Sequence, residues 1–300
     1  MVAARTIDRT PALALVGTGA VSVQFGAALA TKLFHRVGPA GAVTLRLVLA
    51  AVVLGASVGL TGRRPAPAER RPGRDWAVAV SFGLVLAAMN LSFYEAIARI
   101  PLGVAVTIEF SGPLTLALAS SRRWSDGLWA AAAGAGVVLL ASGVGRHLDP
   151  AGLGLALLAG IFWVGYILLS RETGRRFDSL QGLAWAMAVG GLAVLAFGAA
   201  AGGAALVDPE VLGLGLAVAV LSSVVPYSLE LSALRRVTPR AFGVMMSLEP
   251  ALATAAGFAV LGQHLSLREW IALGLVVAAN AGNSLTGRAV RPADVVATTP

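Results

Sequence analysis

Ten apolar blocks alternate with short polar breaks along the chain, at roughly 11–34, 39–61, 76–98, 101–120, 127–145, 151–171, 181–203, 211–234, 241–262 and 267–287. Each is close to the ~20 residues an α-helix needs to cross ~30 Å of hydrocarbon. The pattern predicts an all-α membrane protein with ten transmembrane helices. The longest polar break, 61–74, holds Pro65, Pro67 and Pro72 among arginines and reads as a solvated loop. The first block follows two arginines and is longer than a signal-peptide core, so it reads as an uncleaved first helix.

Composition agrees with that pattern. Only 13% of residues are charged against 57% hydrophobic, where a soluble domain carries about a quarter charged. Glycine, at 36 residues, runs with alanine and serine through nearly every block, which suits helices packed closely in lipid. The net charge of +8 could point to nucleic acid, but the arginines cluster between apolar runs with no aromatic interleaving. Placing the N-terminus in the cytoplasm puts seventeen basic residues on the inner side. Lys32, Arg36, Arg99, Arg146 and Arg268 fall outside, and Arg46 lies within a span. That bias predicts a multi-pass protein with both termini cytoplasmic. With no cysteine, disulfides and thiolate metal sites are excluded. His35, His147 and His264 are too scattered to bind a metal. No Gly-rich loop ends in GK[ST], and no Ser/His/Asp set is suggested. Neither a cofactor nor an enzyme is expected.

The halves resemble each other faintly. Shifted by 137 residues, "AIARIPLGVAVTIEFSGP" (96–113) lies on "ALRRVTPRAFGVMMSLEP" (233–250), matching Arg99 to Arg236 and Pro113 to Pro250. Five helices per half make the copies run oppositely through the membrane. The expected organisation is two inverted five-helix repeats, 1–148 and 149–288, with a disordered tail at 289–300. Inverted repeats are a recurring plan of secondary transporters, with the site near the midplane between the halves.

Charges inside the spans mark candidate chemistry. Glu95 and Glu230 lie close enough to span ends to reach an interface. Glu109 and Glu249 sit about 12 Å deep at 1.5 Å per residue, each just before a repeat-related proline. Pro113 and Pro250 leave backbone carbonyls unpaired, which lipid tolerates only beside a cavity, water or other protein. Arg46 reaches a depth similar to that of Glu109. An ion pair between them is expected, serving either to fix helices or to gate or bind ligand. Glu249 has no evident cation at its depth and suits a proton carrier, with a hydrogen-bonded neutral acid as the alternative; Glu230 is a second proton-coupling candidate. Gln24, Asn90, Asn280 and Asn283 could bind substrate or join helices. Trp163 and Tyr166 share a helix face that either lines a cavity or packs. Pro226 kinks its helix beside Ser222, Ser223 and Tyr227.

Several strings resemble the EamA family of the drug/metabolite transporter superfamily, and within it the bacterial threonine/homoserine exporter subfamily. They are "SVQFGAALATKLF" (22–34), "TLRLVLA" (44–50), "PLGVAVTIEFSGPLTLALASSRR" (101–123), "VLSSVVPYSLELSALRR" (220–236) and "FGVMMSLEPALATAAGFAVLGQ" (242–263). The resemblance implies a ten-helix inverted-repeat exporter of the bacterial inner membrane that moves amino acids or related metabolites outward on the proton gradient. Its substrate would lie in a central cavity between the halves. Glu109, Pro113, Tyr227, Glu230, Glu249 and Pro250 fall within the matching strings. The substrate-binding set expected from these readings is Glu109, Arg46, Asn90, Trp163, Tyr166 and Tyr227, with Glu249 and Glu230 for proton coupling. Helix breaks are expected at Pro113, Pro226 and Pro250. The partners are an amino acid, protons and the lipid bilayer. The alternatives are the same fold with another cargo, such as aromatic amino acids, drugs or nucleosides, or else a channel or membrane-embedded enzyme.

Overall fold

A computed structural model describes residues 10–60, 73–119, 124–141, 148–177, 179–234 and 245–286. The 61–72 part of the arginine-rich loop, the tail after 286, His147 and many of the basic residues behind the sidedness argument lie outside the described residues, as does the side chain of Glu230. Every regular element among the described residues is helical, and none is a strand. The elements are α1 (Thr10–Thr31), α2 (Phe34–Leu60), α3 (Gly73–Ile97), α4 (Leu102–Glu109), α5 (Ser111–Ala119), α6 (Trp124–Ala141) and α7 (Pro150–Arg176). Then come α8 (Ser179–Gly202), α9 (Pro209–Ala219), a π turn at Val220–Val224, α10 (Val225–Leu234), α11 (Glu249–Leu261) and α12 (Leu267–Thr286). Among the described residues, six segments are long and apolar enough to cross a membrane: Ala14–Thr31, Phe34–Val58, Gly73–Ile97, Pro150–Arg176, Leu180–Val207 and Pro209–Leu229. The helices follow the apolar blocks of the sequence. One block is shared by α4 and α5, and another by α9, the π turn and α10.

Proline and glycine set the local breaks. In α2, Gly38 takes φ 67 and ψ 170, a left-handed φ that only glycine adopts at little cost, and Pro39 restarts the helix. Asp149 and Asp208 cap α7 and α9, each directly before a proline at the first helical position. Asp149 Oδ1 accepts from the Ala151 N–H at 2.9 Å, and Asp208 Oδ1 from the Glu210 N–H at 2.9 Å. Capping carboxylates satisfy donors that a helix start leaves unpaired. Both caps also meet an arginine from earlier in the chain. Arg36 pairs with Asp208 at 3.0 Å and Glu210 at 2.7 Å, and Arg99 approaches Asp149 at 3.8 Å. Glu95 is held by Arg99 at 2.5 Å, one turn along.

The packing interleaves the two halves of the sequence. The main neighbour of α2 is α8, and that of α3 is α7; α1 lies against α10 and α11, α4 against α11 and α7, and α6 against α12. Small residues permit the closest approaches. A Cβ at Gly112 of α5 would collide with the Gly160 backbone of α7, and one at Gly160 would stand 2.7 Å from the Glu109 carbonyl oxygen. Only glycine at both positions lets α7 lie against the seam between α4 and α5.

Candidate functional site

A cavity of about 590 Å³ runs through the bundle, within the range of roughly 300–1,000 Å³ usual for small-molecule sites. It brings together Arg46, Asn90, Glu109, Trp163, Tyr166, Tyr227 and Glu249 from six helices, with Pro113 and Pro226 in its walls. Pro250 is buried beside Glu249 and is not part of the lining. At one end the lining reaches Ser170 and Arg171 near the finish of α7, and Asn283 and Ser284 within three residues of the finish of α12. Arg171 is exposed there, so the cavity opens at that end. The capped starts of α7 and α9, with their arginine pairs, stand at the opposite end.

The polar groups are held in different ways. Arg46 is 5% exposed. Its Nε donates to Ser223 Oγ at 3.1 Å, Nη1 to the Tyr94 hydroxyl at 3.3 Å, and Nη2 to the Ser222 carbonyl at 2.9 Å. The guanidinium carbon also lies 5.6 Å from the Tyr94 ring centroid, a cation–π distance. The ion pair expected between Arg46 and Glu109 is not formed. Both residues line the cavity, yet Arg46 is taken up by neutral oxygens of α3 and the π turn, and no carboxylate lies within 4.0 Å of it among the described residues. Glu249 has a hydrogen-bonded setting, the alternative left open for it in the sequence. Gln24 Nε2 of α1 donates to its Oε2 at 3.0 Å.

Of Gln24, Asn90, Asn280 and Asn283, Gln24 is the one whose side chain is seen to join helices. The Nδ2 groups of Asn90 and Asn280 donate to carbonyls one turn back on their own helices, at Leu86 (2.8 Å) and Val276 (2.9 Å). The aromatic residues form one wall. Phe110 meets Trp163 edge-on with centroids 4.7 Å apart, and Tyr166 stands between Phe82 (5.4 Å) and Tyr227 (6.3 Å). Among the described residues no three His, Cys, Asp or Glu side chains cluster to hold a metal.

Sequence reasoning missed three contributors. Arg171 was counted only as a basic residue near a span end, although 163, 166, 167, 170 and 171 form one helical face by their spacing. Tyr94 lies four residues after Asn90 on α3, on the same face. The third is the form of the break beside Pro226: a kink was expected there, and its wider winding as a π turn at Val220–Val224 was not. A π turn breaks the regular ladder of an α-helix and is frequent at functional sites.

An all-helical bundle of membrane-crossing segments around a charged internal cavity is the arrangement of a multi-pass membrane transporter. Residues 150–285 match the EamA-like transporter family. The chain is 43% identical over 270 residues to the threonine/homoserine exporter RhtA of Escherichia coli (strain K12), covering 89% of each protein. It is 44% identical over 273 residues to the protein of the same name from Salmonella typhimurium (strain LT2), again over 89% of each. The chain therefore belongs to the EamA-like transporter family, a family of transporters rather than enzymes. A solved crystal structure at 21% identity superposes with a TM-score of 0.60 over 95% of this chain and 99% of its own, a likeness of fold.

Proposed function

We propose that the chain exports small amino acids of the threonine or homoserine type across the bacterial inner membrane, by alternating access and with proton coupling. Ten crossings in two inverted five-helix repeats, 1–148 and 149–288, with both termini cytoplasmic and 289–300 as a tail, are the organisation that goes with this reading. It is supported by the names of the relatives at 43–44% identity and by one observation above all: the cavity carries charges of both signs. A zwitterion needs an anion for its ammonium and a cation for its carboxylate. Glu109 and Glu249 offer the first and Arg46 the second on one 590 Å³ chamber. Asn90, Trp163, Tyr166 and Tyr227 complete the proposed binding set. Glu249, with Glu230 nearer the end of its helix, is the proposed proton carrier. With the cytoplasm on the side of the α7 and α12 finishes, the cavity as described is open inward.

Efflux of labelled threonine and homoserine from proteoliposomes, with and without a pH gradient, tests this. Saturable efflux that the gradient accelerates is the expected result, and absence of efflux for both substrates overturns the reading. The aromatic wall of Phe110, Trp163, Tyr166 and Tyr227 favours a second cargo class, aromatic amino acids. Competition by phenylalanine and tyrosine stronger than that by homoserine would select it.

A further inference from the structure

Three arginines stand in the last two turns of α7, and they are used differently. Arg175 and Arg176 both pair with Glu172, and Arg176 also with Asp75 near the start of α3. Arg171 forms no ion pair among the described residues, although Glu172 is its neighbour in the chain. Its side chain instead continues the face of Trp163, Tyr166, Ile167 and Ser170 along the cavity wall. It is the outermost step of that face and is exposed at the mouth. Membrane sidedness does not call for this placement. Arg175 and Arg176 supply basic charge at the same helix end, and neither lines the cavity.

The charges of the lining are divided by depth. They are Arg46, Glu109, Arg171 and Glu249. Arg46 and Glu249 are buried, and Glu109 is half-buried at the end of α4. At the mouth, Ser170 of α7 and Asn283 and Ser284 of α12 are polar and uncharged. A ligand arriving from the open end therefore meets a cation and no acid of the lining. Further in, two acids face one cation. An interior with that excess of acid would by itself favour plain amines over zwitterions, and the free cation at the entrance offsets it.

We infer that Arg171 is a specificity-determining residue, an entry subsite at the open mouth that takes the carboxylate of the amino acid before the ligand moves inward. A zwitterion has no net charge to be drawn from afar, so the gain comes from contact between guanidinium and carboxylate. The same cation repels ligands that carry an ammonium and no carboxylate, before they reach Glu109 and Glu249. Selection for a carboxylate thus happens twice, at Arg171 in water-filled surroundings and at Arg46 within the bundle. This assignment rests on the amino-acid reading of the cavity given above.

The test uses inverted membrane vesicles, whose bath reaches the open mouth. It measures the KM for uptake of labelled threonine and the Ki of threoninamide, which keeps the ammonium and the side chain and lacks the carboxylate charge. Arg171→Gln should raise the KM for threonine by about 2- to 5-fold, the worth of an exposed ion pair, and lower the Ki of threoninamide by a similar factor. Arg171→Glu should widen both shifts, and Arg171→Lys, which keeps the charge, should leave both constants near those of the unmodified protein. Raising the salt from about 0.1 M to about 1 M, which cuts the Debye length from ~10 Å to ~3 Å, should close most of the gap between Arg171→Gln and the unmodified protein. A pairing at buried Arg46 would be screened far less. Constants that move in the same direction in Arg171→Gln, that do not move, or that differ by the same factor at both salts overturn the entry subsite while amino-acid export stands. Unmodified vesicles that take up no amino acid overturn the export reading itself. Should Arg171→Gln fail to insert, the unmodified protein decides alone. Its KM for threonine should rise with salt while its Ki for threoninamide falls, and constants that shift together overturn the subsite.

Discussion

The two acid–proline sites at the cavity share residue types and differ in structure. Glu109 ends α4, Pro113 falls in the first turn of α5, and the two short helices meet at Phe110, whose N–H still donates back to the Val106 carbonyl at 3.0 Å. Glu249 and Pro250 instead open α11. Pro250, at a helix start, withholds a donor that would have no helical partner anyway, whereas Pro113 interrupts a ladder that the Phe110 and Leu114 N–H groups carry across the seam. The first site is therefore a seam within an apolar run, clamped by the Gly112–Gly160 approach of α7. The second is a helix start. The acids are supported differently too. Gln24 donates to Glu249, whereas the Glu109 carboxylate makes no hydrogen bond or ion pair among the described residues. The same pair of residue types thus has one acid tied to a neighbouring helix and the other on the cavity wall without such a tie.

The largest effects should come from making the acids neutral. Glu249→Gln is expected to abolish the stimulation of efflux by a pH gradient while retaining some downhill transport. Glu109→Gln should instead raise the KM for threonine by about 10-fold or more, the worth of a bond to a charged group, with its pH response intact. Measuring both variants against a pH series checks the division, and exchanged phenotypes would reverse the two roles.

Smaller effects should follow from the supports. Gln24→Leu strips Glu249 of its donor and should lower stability by ~1–3 kcal/mol, measured as thermal unfolding in detergent, and alter the pH profile of efflux. Pro113→Ala lets α4 and α5 merge. It should raise thermal stability by ~1 kcal/mol through the recovered hydrogen bond and lower transport by moving Glu109. Pro250→Ala, at a helix start, should change both quantities less.

The smallest effect belongs to Asp208, which lies outside the membrane-spanning segments and serves as the control. Hydrogen bonds from the Val211 and Glu210 N–H groups, with Arg36 nearby, hold its carboxyl below the usual carboxylate range. A depressed pKa means that its contribution is complete above the ordinary value near 4 and is lost only as pH falls through the lower folded value. Asp208→Asn should leave the pH dependence of efflux between pH 5 and 8 unchanged, which thermal and transport scans across that range can check.

Much of this was legible in the sequence because bilayer thickness fixes helix length and because lipid makes every buried polar residue conspicuous. Arg46, Asn90, Glu109, Trp163, Tyr166, Tyr227 and Glu249 stood out for that reason, and the structure gathers them on one cavity. Partner choice was not legible. Equal depth suggested that Arg46 would meet Glu109, but depth fixes only one coordinate. Rotation about each helix axis turned the arginine toward Tyr94 and the π turn instead. The same limit hid the Gln24 bond to Glu249, made between residues 225 positions apart. Arg171 was overlooked because a basic residue near a span end already had an explanation in membrane sidedness.

The interleaving of early and late helices has a consequence for biogenesis. When α1 to α6 have left the ribosome, the surfaces meant for α7, α8, α10, α11 and α12 are still bare, because those helices have not been made. Glycine faces such as Gly112, shaped to receive another backbone, must wait in lipid or beside the insertion machinery until α7 arrives. Assembly of the finished bundle is thus a late event, and the charged chamber comes into being only when synthesis is nearly complete.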